Sequence, residues 1–133
     1  MVTEENTLEE IQAEFAKDAY ARQAQCSIIE ARAGYSVCEM PITPNHLNAN
    51  GGVMGGAMFT LADFSMAVAA NLDGKSSVAI NCGIQFFTGA KGTKLIGTCT
   101  ADKAGRTIGF YTVDITDDLG TKIAKFTCTA HRS

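Results

Sequence analysis

The hydrophobic pattern changes period several times along the chain. Over residues 7–22 the apolar positions recur at helical spacing, with Leu8, Ile11, Phe15 and Ala19 on one stripe. Thr7 with Glu10 fits a capping box, and Glu9 and Glu10 suit the positive end of a helix dipole. This predicts an amphipathic helix at the edge of the domain. From 27 to 42 the pattern becomes strand-like and breaks near Ala33 and Gly34, with Val37 and Glu39 alternating with Cys38 and Met40. Pro41 and Pro44 then stop regular structure and open a polar loop over 45–53.

A different kind of helix follows, over about 54–72, where Asp63 is the one ionisable side chain between Ala57 and Leu72. Asp73 and Gly74 read as its glycine C-cap. Beyond Lys75 the chain reads as a meander with strands over 78–87, 94–102 and 106–116. Lys103, Ala104 and Gly105 form a turn, and residues 117–120 carry a hairpin signal. In the last strand, within 121–132, Ala124, Phe126, Cys128 and Ala130 face one way, and Ile123, Lys125, Thr127, Thr129 and His131 the other. A helix that is apolar on nearly every side has to be covered on nearly every side. One strongly curved antiparallel sheet wrapped around it does that, giving an α+β architecture, the hotdog fold.

With 133 residues the chain is read as a single domain, 1–133, large enough for its own core. The net charge of -3, the lack of any basic block and the absence of Trp argue against nucleic-acid binding. Thr60, Asp63, Ser65 and Asn71 interrupt the apolar run, so it reads as a buried helix rather than a membrane span. The acidic start, MVTEENTLEE, carries no apolar stretch of the signal-peptide kind. Five scattered cysteines with no C-x-x-C pair read as small hydrophobes of a reduced, cytoplasmic protein. With only His46 and His131 available, no metal-ligand spacing exists and no metal is expected.

The candidate chemistry sits where loop and apolar helix meet. Gly51, Gly52, Gly55 and Gly56 bring the backbone into a helix N-terminus, where the first amides lack intrahelical partners and the dipole is positive. Such amides can hold an oxyanion, with Gly55 the nearest candidate and Gly56 leaving room for a ligand. The same glycines also suit a tight loop or close helix packing. Asp63 is a candidate nucleophile or general base, the alternative being a structural carboxylate bonded to a loop. Asn48 can hold a water or fix the loop. Met54 would form an apolar wall, and His46 reads as a loop-structural residue.

The run His46-x-Asn48-x-x-Gly51-x-x-Met54-Gly55-Gly56, followed six residues later by Asp63, resembles the hotdog thioesterases of the phenylacetate-degradation (PaaI) type. LADFSMAVAAN, VAINCGIQFFTGAKG and the hairpin TIGFYTVDITDDLGTKIAKFTCTAH extend the likeness over residues 25–131. The resemblance implies hydrolysis of an acyl-CoA, with Asn48, Gly55 and Asp63 as the site. The family's histidine before the glycine pair is replaced here by Met54. Coenzyme A would be part of the substrate, and no separate cofactor is implied. Lys91, Lys94, Lys103 and Arg106 are candidate phosphate partners, or simply solvated surface charge. Phe59, Phe64, Phe86 and Phe87 are candidates for an acyl or aryl pocket, or for the core. The alternative function is a non-catalytic acyl-CoA-binding protein on the same fold.

Spacing adds a constraint of its own. Gly55 and Asp63 lie eight residues apart, about 12 Å along a helix. One carbonyl carbon cannot sit about 3 Å from both. A second subunit must therefore supply one of them, which implies a homodimer with shared sites. The family resemblance adds a dimer of dimers, a homotetramer.

Overall fold

The stretch expected as one N-terminal helix is two. In the computed structural model, which describes residues 1–133, α1 spans Leu8–Phe15 and α2 spans Ala19–Gln23. The capping box forms: the Glu10 amide donates to Thr7 Oγ1 at 3.2 Å and the Thr7 amide donates to the Glu10 carboxylate at 3.0 Å. Ile11 is buried, and Phe15 packs edge-on against Phe64 with ring centroids 6.3 Å apart. Beyond Phe15 the apolar stripe has nothing to bury against. Ala19 is exposed, as is Leu8 at the other end, while Ala21 turns inward. The helix therefore stops at Ala16 and restarts after Asp18 on a new face.

The remaining elements are β1 (Ser27–Arg32), β2 (Tyr35–Pro41), a 3-10 turn (Pro44–His46), α3 (Gly55–Ala70), β3 (Ser77–Phe86), β4 (Lys94–Ala104), β5 (Ile108–Asp117) and β6 (Lys122–Arg132). The six strands form one antiparallel sheet in the order β1-β2-β4-β5-β6-β3. Its inward positions, among them Met40, Leu95, Cys99, Val113 and Phe126, pack on Leu61, Ala62, Met66 and Val68 of α3. Helix and sheet approach closely at Gly97, where a methyl group would lie 2.6 Å from Ser65 Oγ. Ser36 Oγ donates to the Ser65 carbonyl at 2.6 Å, tying β2 to the helix at the same level. A long helix on the concave face of one antiparallel sheet is the α+β hotdog arrangement expected from the pattern.

Three details differ from expectation. First, α3 ends at Ala70, and Asn71 rather than Gly74 caps it. The Asn71 side chain donates to the Ala67 carbonyl and accepts from the Ser77 amide, both at 2.7 Å. A two-headed amide does what a left-handed glycine would otherwise do, and Gly74 (φ +88°) only turns the chain into β3. Second, β4 runs to Ala104, because a bulge between Ala101 and Lys103 prolongs its pairing with β5. Third, Ile123 is buried although the strict alternation points it outward. A register shift opposite Ile115 and Thr116 breaks the period there. Arg132, also buried, joins the far end of the fold together. It donates to the carbonyls of Ala70 and Gly105 and to the hydroxyls of Ser77 and Tyr111, and it pairs with Asp73. No helix is long and apolar enough to cross a membrane.

Candidate active site

The loop before α3 is held by its own polar groups. Leu47 and Val53 form an isolated bridge, and the Met54 amide donates to the His46 carbonyl at 2.8 Å. Inside the loop, Asn48 Oδ1 accepts from the amides of Asn50 (2.9 Å) and Gly52 (3.1 Å). The Asn48 side-chain oxygen therefore fixes the loop, while its amide nitrogen bonds nothing in the chain. His46 is buried, with both ring nitrogens in use. Nδ1 accepts from the Thr43 amide at 3.1 Å and Nε2 lies 2.7 Å from the Ala24 carbonyl, which can only accept. This is the loop-structural role read from the sequence, and it leaves no histidine free at the site.

The loop delivers the chain into α3 with Met54 as N-cap, in extended conformation and without a side-chain cap bond. The Met54 carbonyl accepts from Ala57 and Met58. The Gly55 and Gly56 amides bond no acceptor in the chain, as first-turn amides do. The two glycines differ in what they permit. A methyl group on Gly55 would lie 3.0 Å from the tip of the Phe86 ring, so Phe86 from β3 packs directly over this backbone. A methyl group on Gly56 would meet nothing within 4 Å. Glycine is unfavourable in a first helical turn, and at Gly56 no packing demands it. What it leaves there is open surface.

Asp63 sits two turns further along the open face of α3, exposed and without a hydrogen bond or ion pair. The structural reading, a carboxylate tied to a loop, is therefore not what this side chain does. It lines a cavity of about 310 Å³ with Asp18, Tyr20, Phe59 and Phe64. Desolvation by these walls pushes the carboxyl above its ordinary value, and the nearby Asp18 charge adds to the rise. Phe59 is shared between cavity and core, its ring edge-on to Phe126 at 5.2 Å. A second cavity of about 290 Å³ lies at the helix N-terminus, lined by Met54, Gly56, Thr60, His46 and Tyr20. Thr60 and Tyr20 border both, so the two lie side by side along α3. Asp18 and Tyr20 carry no signal in the sequence, because their approach to α3 depends on the break that creates α2.

The two proposed cations are not brought together. Lys91 lies before the start of β4, where Asp117 accepts from the Lys91 and Gly92 amides at 2.8 and 2.9 Å. Burial alone would push the Asp117 carboxyl up, but the amides of Lys91, Thr121 and Gly92 outweigh it and hold it well below the usual carboxylate range. Arg106 lies beyond the other end of β4, a strand about 33 Å long. Within one chain they cannot grip the same phosphate group. Lys91 shares the Gly55 end of the fold, and Arg106 the Ala70 end. All five cysteines are free thiols. Burial raises Cys26 and Cys99 to about 12 and Cys38 to about 11, so these three are not thiolate nucleophiles near neutral pH.

The chain matches the model of the thioesterase superfamily over residues 50–124. It is 32% identical over 119 residues to the acyl-coenzyme A thioesterase PaaI of Escherichia coli (strain K12), spanning 89% of this chain and 85% of that one. The solved structure of the E. coli PaaI protein from the phenylacetic acid degradation operon aligns with a TM-score of 0.82 at 28% identity, over 96% of each chain. A hypothetical thioesterase of Streptococcus pneumoniae TIGR4, solved with coenzyme A, aligns with a TM-score of 0.83 at 26% identity, over 92% of this chain and 96% of that one. Fold and relatives together define the class, a hotdog-fold thioester hydrolase. The chain belongs to the thioesterase superfamily and is PaaI-like within it.

Proposed function

We propose that this chain hydrolyses the thioester of a small acyl- or aryl-coenzyme A at a site shared between two subunits. The observation that carries the proposal is the pairing on one helix of unengaged Gly55 and Gly56 amides with a carboxylate, Asp63, that opens unbonded into a cavity. The Gly55 N–H donates to the thioester oxygen as charge builds on it. Asp63 then drives the attack by one of two routes. As a base it takes a proton from water while the hydroxide adds to the carbonyl carbon. As a nucleophile its oxygen adds directly, giving an anhydride that water later opens. In both, the carbon–sulfur bond breaks, the coenzyme A thiolate leaves and a proton returns to it.

Since Gly55 and Asp63 of one helix are about 12 Å apart, the attacking group comes from Asp63 of the partner subunit. Two helices antiparallel about a two-fold axis meet this requirement twice. The edge of the sheet supports such pairing: β3 is unpaired on its outer side and exposes Val78, Ile80 and Phe86. Phe86 also covers Gly55, so an interface built on that edge reaches the oxyanion amide. Asn48 positions the loop, and its free amide nitrogen is available to a water or the substrate. In this reading Met54, Gly56 and Phe59 line the substrate's path, and Lys91 is the candidate cation for a coenzyme A phosphate. Arg106 reaches a phosphate only in a site completed by another subunit. Further pairing of dimers into a tetramer is part of the same proposal, as is a cytoplasmic location.

The test is release of free thiol from a panel of short acyl- and aryl-CoA esters, with binding measured in parallel. Turnover on at least one member is expected. Binding throughout with no thiol released would favour the second reading, a non-catalytic acyl-CoA-binding protein. One observation favours that reading: Met54, 56% exposed at the helix start, puts a thioether where the resemblance to the PaaI-type pattern implies a histidine. Met54→His is expected to change kcat several-fold and to add a titration near neutrality to its pH profile, as an imidazole does. A folded variant with unchanged kcat and profile would make Met54 a wall of the cavity and nothing more.

A further inference from the structure

Asp18 is the N-cap residue of α2, yet its carboxylate caps nothing. It accepts no hydrogen bond from the α2 amides and joins none of the chain's ion pairs. Asp is favoured at this position because its side chain can accept from those amides. Here the side chain lines the same cavity of about 310 Å³ as Asp63. The break between α1 and α2 makes this possible, because it places Asp18 at a helix start over α3 instead of on the flank of one continuous helix.

Within the chain no cation balances the two carboxylates. Asp18 and Tyr20 from the α2 segment share the cavity lining with Asp63, and the Cys128 thiol of β6, which burial first of all holds protonated, lies within reach of the Asp63 charge but outside that lining. No Lys, Arg or His side chain lines the cavity. The nearest basic residues in sequence are engaged elsewhere: Lys17 pairs with Glu14 at 3.1 Å, and Arg22 donates to the Ala16 carbonyl at 2.6 Å. Two carboxylates in one partly desolvated space cannot ionise independently, because the charge on each disfavours the charge on the other.

We infer that Asp18 is a positioning residue for Asp63, an anion on the α2 side of the cavity that makes Asp63 a stronger proton acceptor. The inference rests on the reading of Asp63 as the group that drives the attack. A carboxylate left in water is a weak base near neutrality, and a base whose affinity for protons is raised towards the working pH is a better catalyst. The sign follows from like charge. Removing the Asp18 charge lets Asp63 ionise at lower pH, which shifts the acid limb of the rate profile to lower pH and weakens the base on the plateau.

The experiment has two readouts. In carbon-13-labelled protein the Asp63 carboxyl resonance, assigned by its loss in Asp63→Asn, is titrated in the wild type and in Asp18→Asn and Asp18→Glu. The midpoint is expected to move to lower pH in Asp18→Asn and to stay near the wild-type value in Asp18→Glu, which keeps the charge. In parallel, the acid limb of kcat/KM should move the same way. Activity on that limb, relative to each enzyme's own plateau, should rise several-fold in Asp18→Asn. Asp18→Ser serves as the second neutral variant should Asp18→Asn not fold. An unmoved Asp63 midpoint, or one moved to higher pH, in either folded neutral variant overturns the inference. Failure of the underlying reading looks different: Asp63→Asn would then keep full turnover, whatever Asp18 does to the carboxyl resonance.

Discussion

Replacing Asp63 with Asn is expected to lower kcat by about 10³-fold, the scale of a lost general base, while the protein keeps its fold and its oligomeric state. The side chain bonds nothing in the chain, so its replacement breaks no network. It is exposed on the open face of α3, so no buried charge is uncovered and no cavity is opened in the core. A loss of this size with an unchanged melting curve separates a chemical role from a structural one. The pH profile of the wild type carries a second expectation. Asp63 must be ionised to act, and desolvation and then Asp18 raise its proton affinity. Activity is therefore present at high pH and falls as the pH drops through a value above that of a free Asp. An acid limb lying where a free Asp titrates, or turnover of the folded Asp63→Asn near wild type, would remove Asp63 from the mechanism.

Much of this site is legible in the sequence because its parts are adjacent in the chain. The loop glycines, the helix start and the carboxylate lie within about one helix length, so periodicity and spacing alone put Gly55 and Asp63 on one element. The wrapping sheet follows from the apolar character of α3, which buries Leu61, Ala62, Met66, Val68 and Ala69 at once. What stays hidden depends on contacts between distant segments. Phe86 reaches Gly55 only because β3 lies at the sheet edge beside β6. Asp18 comes to line the cavity of Asp63 only because the stripe of Leu8, Ile11 and Phe15 fails at Ala19 and the helix breaks. The separation of Lys91 from Arg106 is hidden for the opposite reason. Both stand next to strand ends in sequence, and only the direction of β4 shows that these are opposite ends. Local rules find elements and caps well. They do not report which surfaces those elements turn to each other, as Asn71 in place of Gly74 shows even for a cap.

Two inactive proteins are expected to regain activity when mixed. The first is Asp63→Ala. The second is Gly55→Val, whose added carbons would sit over the oxyanion amide, the first of them 3.0 Å from the Phe86 ring. That ring is half exposed and can give way, so the variant should fold with its amide blocked. In a mixed dimer, the Gly55 amide of the Asp63→Ala chain faces the partner's intact Asp63, so one site is whole. The other site carries both lesions. Each mixed dimer then has about half the sites of the wild type, and random exchange should return about a quarter of wild-type activity in total. The recovery is large because the starting point is near zero. Subunit exchange is followed by mass labelling of one variant, so that absence of mixing is not mistaken for absence of a shared site. If labelled and unlabelled chains exchange and no thiol is released, each chain must build its site alone. The loop over 45–53 would then have to fold back some two helical turns along α3, against the Leu47–Val53 bridge and the bond from the Met54 amide to the His46 carbonyl that now hold it at the helix start.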